Sequence, residues 1–183
     1  LRNARGSNTP NLLKVTKDLL RFGAQGITIH PRPDQRHIRY EDAFSLLEVV
    51  NTEFNIEGNP IPDFMEMVLK IKPTQVTLVP DANDAITSNA GWDTLKHKVF
   101  LKSIISQCKA QGIRTSIFVD PVIEMVEGAK ETGTDRIELY TETYASIYSS
   151  DPQKAIAPYI YAAEMANKLG IGINAGHDLS LEN

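Results

Sequence analysis

Gly26-Ile27-Thr28-Ile29-His30 decides how this chain folds. Ile27 and Ile29 alternate with Thr28 and His30, which is the period of a strand with one apolar and one polar face. The histidine falls at the carboxyl end. Working outward, Glu53-Phe54-Asn55-Ile56-Glu57 repeats the pattern, with Phe54 and Ile56 opposite Asn55 and Glu57. Arg136-Ile137-Glu138-Leu139-Tyr140 sets Ile137 and Leu139 against Glu138 and Tyr140. Residues 75–79 run into Pro80-Asp81, residues 114–119 into Asp120, and residues 172–174 through Ala175-Gly176 into His177.

Between these strands the sequence predicts helices. They cover residues 9–23, beginning at Thr9-Pro10, and residues 40–50, 62–71, 94–110 and 121–131. A long helix over 151–169 is capped by Asp151-Pro152 and carries a bend at Pro158. Six strands joined by helical crossovers imply a parallel sheet. An open doubly wound sheet has helices on both faces and near-continuous apolar strands. The alternation here instead favours helices on one face and a polar lumen, the α/β architecture of a (β/α)8 TIM barrel. Such barrels close with eight strands. The expectation is therefore a single domain over 1–183, incomplete at both ends, with the first and last strands absent.

Composition bounds the function. The chain has 183 residues, 42% hydrophobic and 23% charged, enough for one domain with a real core. A formal net charge of −4 gives no general attraction to nucleic acid or an anionic membrane. No apolar run approaches the ~20 residues that span a bilayer, and the opening residues do not read as a signal peptide. The one cysteine, Cys108, has no internal disulfide partner and reads as a helix-face residue. The expected setting is the cytoplasm.

The richest local cluster is His30-Pro31-Arg32-Pro33-Asp34-Gln35-Arg36-His37. Guanidinium forks suit phosphate or carboxylate, and imidazoles exchange protons near neutral pH. A solvated charged loop with one buried histidine is the competing reading, against which Pro31 and Pro33 stiffen the segment. Glu57 and Glu138 sit on lumen-side positions, where a desolvated carboxyl suits general-base work; the alternative is a structural partner for an arginine such as Arg32. His177 follows small residues that let a ligand approach the backbone, with a structural histidine as the alternative. The opening Arg2-Asn3-Ala4-Arg5-Gly6 reads either as an anion site or as an exposed basic patch. His97 reads as surface, and Asp81 and Asp120 as strand ends or helix caps. There is no HxH, HExxH or Cys/His cluster, no dinucleotide fingerprint and no phosphate-binding Gly-rich loop, so no metal or cofactor is expected. These residues point to acid–base chemistry on an anionic small molecule.

Taken in order, Leu1-Arg-Asn-Ala-Arg-Gly6, Gly26-Ile-Thr-Ile-His-Pro-Arg32, Arg36-His-Ile38, Asn55-Ile-Glu57, Leu78-Val-Pro80 and Asn174-Ala-Gly-His177 resemble the pyridoxine 5′-phosphate synthase family along essentially the whole chain. The resemblance implies a (β/α)8 barrel that condenses 1-deoxy-D-xylulose 5-phosphate with 3-amino-2-oxopropyl phosphate, giving pyridoxine 5′-phosphate, inorganic phosphate and water. It implies general bases at His30 and Glu57, a general acid at His177, and a transition-state-stabilising glutamate at Glu138. Arg32, His37 and Thr87 match positions that hold deoxyxylulose phosphate, and Arg5 one that contacts the aminoketone phosphate. Many members carry glycine where this chain has Asp178, a substrate-binding position at which a carboxylate repels phosphate unless turned away. The family forms homo-oligomers, and the same is expected here. Two other readings stand beside it: a barrel enzyme acting on another phosphorylated ketone or sugar, and a non-catalytic phosphate-binding fragment. A Schiff-base aldolase is disfavoured, because no lysine stands at a strand end.

Overall fold

The computed structural model describes Arg2, residues 9–81 and residues 88–183. Among them are six strands and seven helices in strict alternation, apart from one helix pair before the last strand. The chain divides into two compact units, one of residues 1–87 with 108–114, the other of residues 88–107 with 115–183.

In the first unit, β1 (Gly26–Ile29), β2 (Glu53–Gly58) and β3 (Gln75–Leu78) lie side by side in chain order and parallel. Their crossovers are α2 (Tyr40–Leu47) and α3 (Pro62–Ile71), and α1 (Leu12–Arg21) precedes β1. The first helix starts later than its Thr9-Pro10 signal, because Asn11 takes the cap and accepts from the Lys14 N–H at 3.0 Å. Burial alternates along β1 and β2 as the sequence predicts, with Ile27, Ile29, Phe54 and Ile56 inside. On β3 both faces are buried: Val76 and Leu78 on one, Gln75 and Thr77 on the other. Gly58, immediately after Glu57, is required by packing. A Cβ there would meet the Phe64 ring at 2.2 Å, so the ring of α3 lies directly on the end of β2.

The second unit carries β4 (Arg114–Val119, whose first residue belongs to the first unit), β5 (Arg136–Tyr140) and β6 (Gly172–Gly176), again parallel and in chain order. Helix α5 (Ile123–Thr132) joins β4 to β5, and α6 (Glu142–Tyr148) with α7 (Pro152–Leu169) joins β5 to β6. Asp151 caps α7 through the Lys154 N–H at 3.0 Å, with Pro152 opening the helix, as read from the sequence. Two features differ from expectation. The helix α4 (Lys98–Ala110) begins four residues later than predicted, leaving His97 in the turn before it, edge-on to Trp92 at 5.3 Å and half-buried. Helix α6 has no predicted counterpart.

Six parallel strands, the first five each followed by a helix, place this chain in the α/β class as a partial TIM barrel. Cys108 is fully buried on α4, where desolvation pushes its thiol up to about 11, so it is not a nucleophile near neutral pH. No helix among the described residues is long and apolar enough to cross a membrane.

Candidate active site

In the first unit the chemistry-bearing residues gather at the carboxyl ends of β1, β2 and β3. His30 follows the last residue of β1, and Glu57 is the next residue of β2 after Ile56, which pairs with Ile29. Continuing that register sets His30 and Glu57 on neighbouring positions. The His30 side chain is 24% exposed, so its ring is reachable from solvent.

A hydrogen-bonded ladder orients Glu57. Asn55 Nδ2 donates to Glu57 Oε1 at 3.3 Å, and Asn55 Oδ1 accepts from Thr77 Oγ1 at 3.2 Å and from Gln75 Nε2 at 3.3 Å. Gln75 Oε1 in turn accepts from Arg114 Nε at 2.8 Å, and Arg114 also pairs with Glu53. These lumen-side groups satisfy one another, which rigidifies a buried polar network rather than leaving desolvated atoms.

Both guanidiniums of the His30–His37 cluster are engaged by carboxylates. Arg32, which is 7% exposed, donates from Nη1 to Asp81 Oδ2 at 3.1 Å, and Arg36 pairs with Asp34 at 2.5 Å. Arg32 thus has a partner in Asp81 at the end of β3, one that sequence reasoning did not name. Asp81 is also more than a strand end: its side chain is 4% exposed and lies 3.8 Å from His30 Nε2. His37 is exposed. Partial desolvation of the ring and the neighbouring Arg36 and Arg32 charges lower its pKa from the ordinary histidine value.

Arg2 does not belong to an exposed basic patch. It is 8% exposed and grips Asp42 with both arms, Nη1 to Oδ2 at 2.6 Å and Nη2 to Oδ1 at 3.0 Å, while Nη1 also donates to the His37 carbonyl at 2.9 Å. Burial raises the Asp42 carboxyl, but the Arg2 fork and the Arg39 N–H lower it further, leaving it below the usual carboxylate range. Arg5 and Thr87 lie outside the described residues.

In the second unit, Glu138 and His177 sit at the ends of β5 and β6. Glu138 is 8% exposed on β5, registered against Asn174. Its carboxylate fills the space beside Gly176, where a Cβ would lie 2.7 Å from Oε1. Gly172 makes the same concession to Arg136, which donates to Asn174 Oδ1 at 3.1 Å. Small residues before His177 thus make room for protein side chains.

His177 is held by several neighbours. Its ring stands edge-on to Tyr140 at 5.0 Å, and Tyr140 Oη donates to the Ser88 carbonyl at 3.1 Å. Thr141 Oγ1 donates to the His177 carbonyl at 2.5 Å, and the Thr141 N–H to the Gly176 carbonyl at 3.3 Å. The backbone turns through φ 100° at His177 and 56° at Asp178, a left-handed path that costs on the order of 1 kcal/mol or more for residues with a Cβ. The Asp178 carboxylate turns back onto the histidine, Oδ2 to Nδ1 at 2.5 Å. Since an ionised carboxylate only accepts, Nδ1 carries the proton in this contact. Asp120 clamps a loop, accepting from the Gly91 N–H at 3.0 Å. Among the described residues, no group of three or more His, Cys, Asp or Glu is placed to hold a metal ion.

The chain as a whole is similar to known proteins. A family model described as pyridoxal phosphate biosynthesis protein PdxJ matches residues 1–183. The pyridoxine 5′-phosphate synthase of Flavobacterium johnsoniae is 66% identical over all 183 residues, which cover 77% of that protein. Those of Christiangramia forsetii and Bacteroides fragilis are 62% and 57% identical, each over 100% of this chain and 77% of the relative. Among solved structures, a flavocytochrome b2 variant with sulfite bound superposes with a TM-score of 0.58 at 13% identity, over 91% of this chain and 49% of the other. The HMG-CoA lyase of Bacillus subtilis gives 0.57 at 13%, over 91% and 68%. At such identities the two structures share the fold alone.

Proposed function

We propose that this chain, which belongs to the PdxJ family of pyridoxal phosphate biosynthesis proteins, is an enzyme that condenses 1-deoxy-D-xylulose 5-phosphate with 3-amino-2-oxopropyl phosphate. The products are pyridoxine 5′-phosphate, inorganic phosphate and water. The observation that carries this reading is identity of 57–66% with proteins named pyridoxine 5′-phosphate synthase, unbroken over all 183 residues.

The reaction needs an amine to add to a ketone, water to leave, protons beside carbonyl or imine carbons to be removed, phosphate to be expelled, and a ring to close and aromatise. Several proton transfers at different atoms call for several acid–base groups. His30 and Glu57 act as bases in the first unit. Asn55 fixes the Glu57 carboxylate, so its basic oxygen meets substrate without first having to be ordered. His177 acts as the acid through Nε2, with Asp178 holding the proton on Nδ1 and stabilising the imidazolium before transfer. Because the Asp178 carboxylate is turned onto the ring, it does not oppose a phosphate at the backbone there. Glu138 stabilises positive charge that develops as the ring closes.

Arg32, His37 and Thr87 bind deoxyxylulose phosphate, and Arg5 the aminoketone phosphate; two phosphorylated substrates need two anion sites. His37 offers the phosphate a ring N–H donor. The enzyme acts in the cytoplasm as a homo-oligomer.

The test is product analysis. Incubating the full chain with both substrates is expected to release pyridoxine 5′-phosphate and inorganic phosphate in equal amounts. A folded chain that forms neither overturns the assignment.

A further inference from the structure

We propose that Asp81 is a positioning residue for this reaction, its buried carboxylate tying the Arg32 guanidinium and the His30 imidazole to one point at the end of β3. The inference rests on the synthase reading for its catalytic meaning, and on geometry alone for the contacts.

Asp81 Oδ2 lies 3.1 Å from Arg32 Nη1 and 3.8 Å from His30 Nε2, so a single oxygen hydrogen-bonds the guanidinium and stands within ion-pair range of the imidazole when that ring is protonated. The backbone that carries the carboxylate is itself fixed, because Asn59 Nδ2 donates to the Asp81 backbone carbonyl at 2.7 Å. Asp81 and Arg32 are both more than nine-tenths buried, whereas the His30 ring keeps a solvent-facing edge. A buried guanidinium next to a histidine base disfavours the protonated ring; an anion placed between them reverses that bias. Asp81 thus lets a base and a phosphate-type cation share one loop without weakening the base. The charged groups facing His30 are Arg32 on its own loop, Asp81 after β3, and Glu57 at the end of β2.

The experiment is an NMR titration of the His30 imidazole in the full chain, with and without Asp81→Asn, which keeps the shape and removes the charge. The His30 pKa is expected to fall by about one unit. In parallel, kcat for product formation is expected to fall about tenfold, with the acid limb of its pH profile moving down by the same amount. An unmoved His30 titration in a folded variant overturns the inference. The NMR readout needs no substrate, so a wild-type chain that makes no product counts against the synthase reading and leaves the contact test intact. If Asp81→Asn does not fold, Asn59→Ala carries the test. It retains the carboxylate but loosens its backbone, and is expected to lower kcat severalfold and broaden the His30 titration; a variant in which kcat and the titration are both unchanged overturns the proposal.

Discussion

In the first unit Glu57 is held by an amide that is itself held by a threonine and a glutamine, and Arg32 is gripped by Asp81. In the second unit Glu138 is seated where Gly176 has no side chain, and His177 leans on the edge of Tyr140 in a left-handed turn. The first set of groups is placed by charge and hydrogen bonds; in the second, polar contacts such as Asp178 on His177 are joined by shape, the room left at Gly176 for Glu138. A charge-built arrangement is sensitive to one missing partner, because the survivor is left desolvated. A shape-built arrangement is sensitive to one added methyl, because close-packed interiors do not stretch.

The largest expected effect removes a reacting charge and spares the fold. Glu138→Gln should lower the rate of product formation by about 10³-fold with little change in the unfolding midpoint. A similar rate would show that the buried carboxylate is structural. Next in size is the charge-built side of the comparison. Asp42→Ala leaves Arg2 buried without its carboxylate, and should cost about 3 kcal/mol in urea unfolding. The same pair sets an acid limit. The Asp42 carboxyl is depressed in the folded state, so its contribution is present above its unfolded pKa and is lost as pH falls through the folded value, below about pH 4. A wild-type unfolding curve that ignores this window while Asp42→Ala is destabilised would separate the packing of the pair from its charge.

A methyl group then probes the shape-built side. Gly176→Ala puts a Cβ against Glu138 Oε1, and should cost about 1–2 kcal/mol together with about a tenfold loss of rate. If the rate holds, the carboxylate has other places to sit. The smallest effect is expected from Tyr140→Phe. It keeps the ring beside His177 and deletes the hydrogen bond to the Ser88 carbonyl, costing about 1 kcal/mol in stability and little in rate. A large rate loss there would give the Tyr140 hydroxyl a part in the chemistry.

The strands were legible because a period of two survives in a short window. Thr28 with His30 and Asn55 with Glu57 announced a polar face, and the burial of β1 and β2 follows it. Helix α6 was not legible. Its stretch Glu142-Thr143-Tyr144-Ala145-Ser146-Ile147-Tyr148 offers no apolar stripe, and none of its residues is fully buried. The partner of Arg32 was equally hidden: Asp81 stands 49 residues away and carries no local signature. Gly176 was recognised as a small residue, but a sequence does not say whether vacant space serves a ligand or a neighbouring carboxylate. Here the carboxylate of Glu138 takes it, across a strand pair whose register only the fold supplies. The turn of Asp178 onto His177 likewise depends on two left-handed residues, a conformation that neither side chain advertises.

The most direct measurement compares the full chain with its Glu57→Gln variant in forming pyridoxine 5′-phosphate from the two purified substrates. The account predicts product from the wild type and a loss of about 10³-fold in the variant, at an unchanged unfolding midpoint. Equal rates in the two proteins would contradict it.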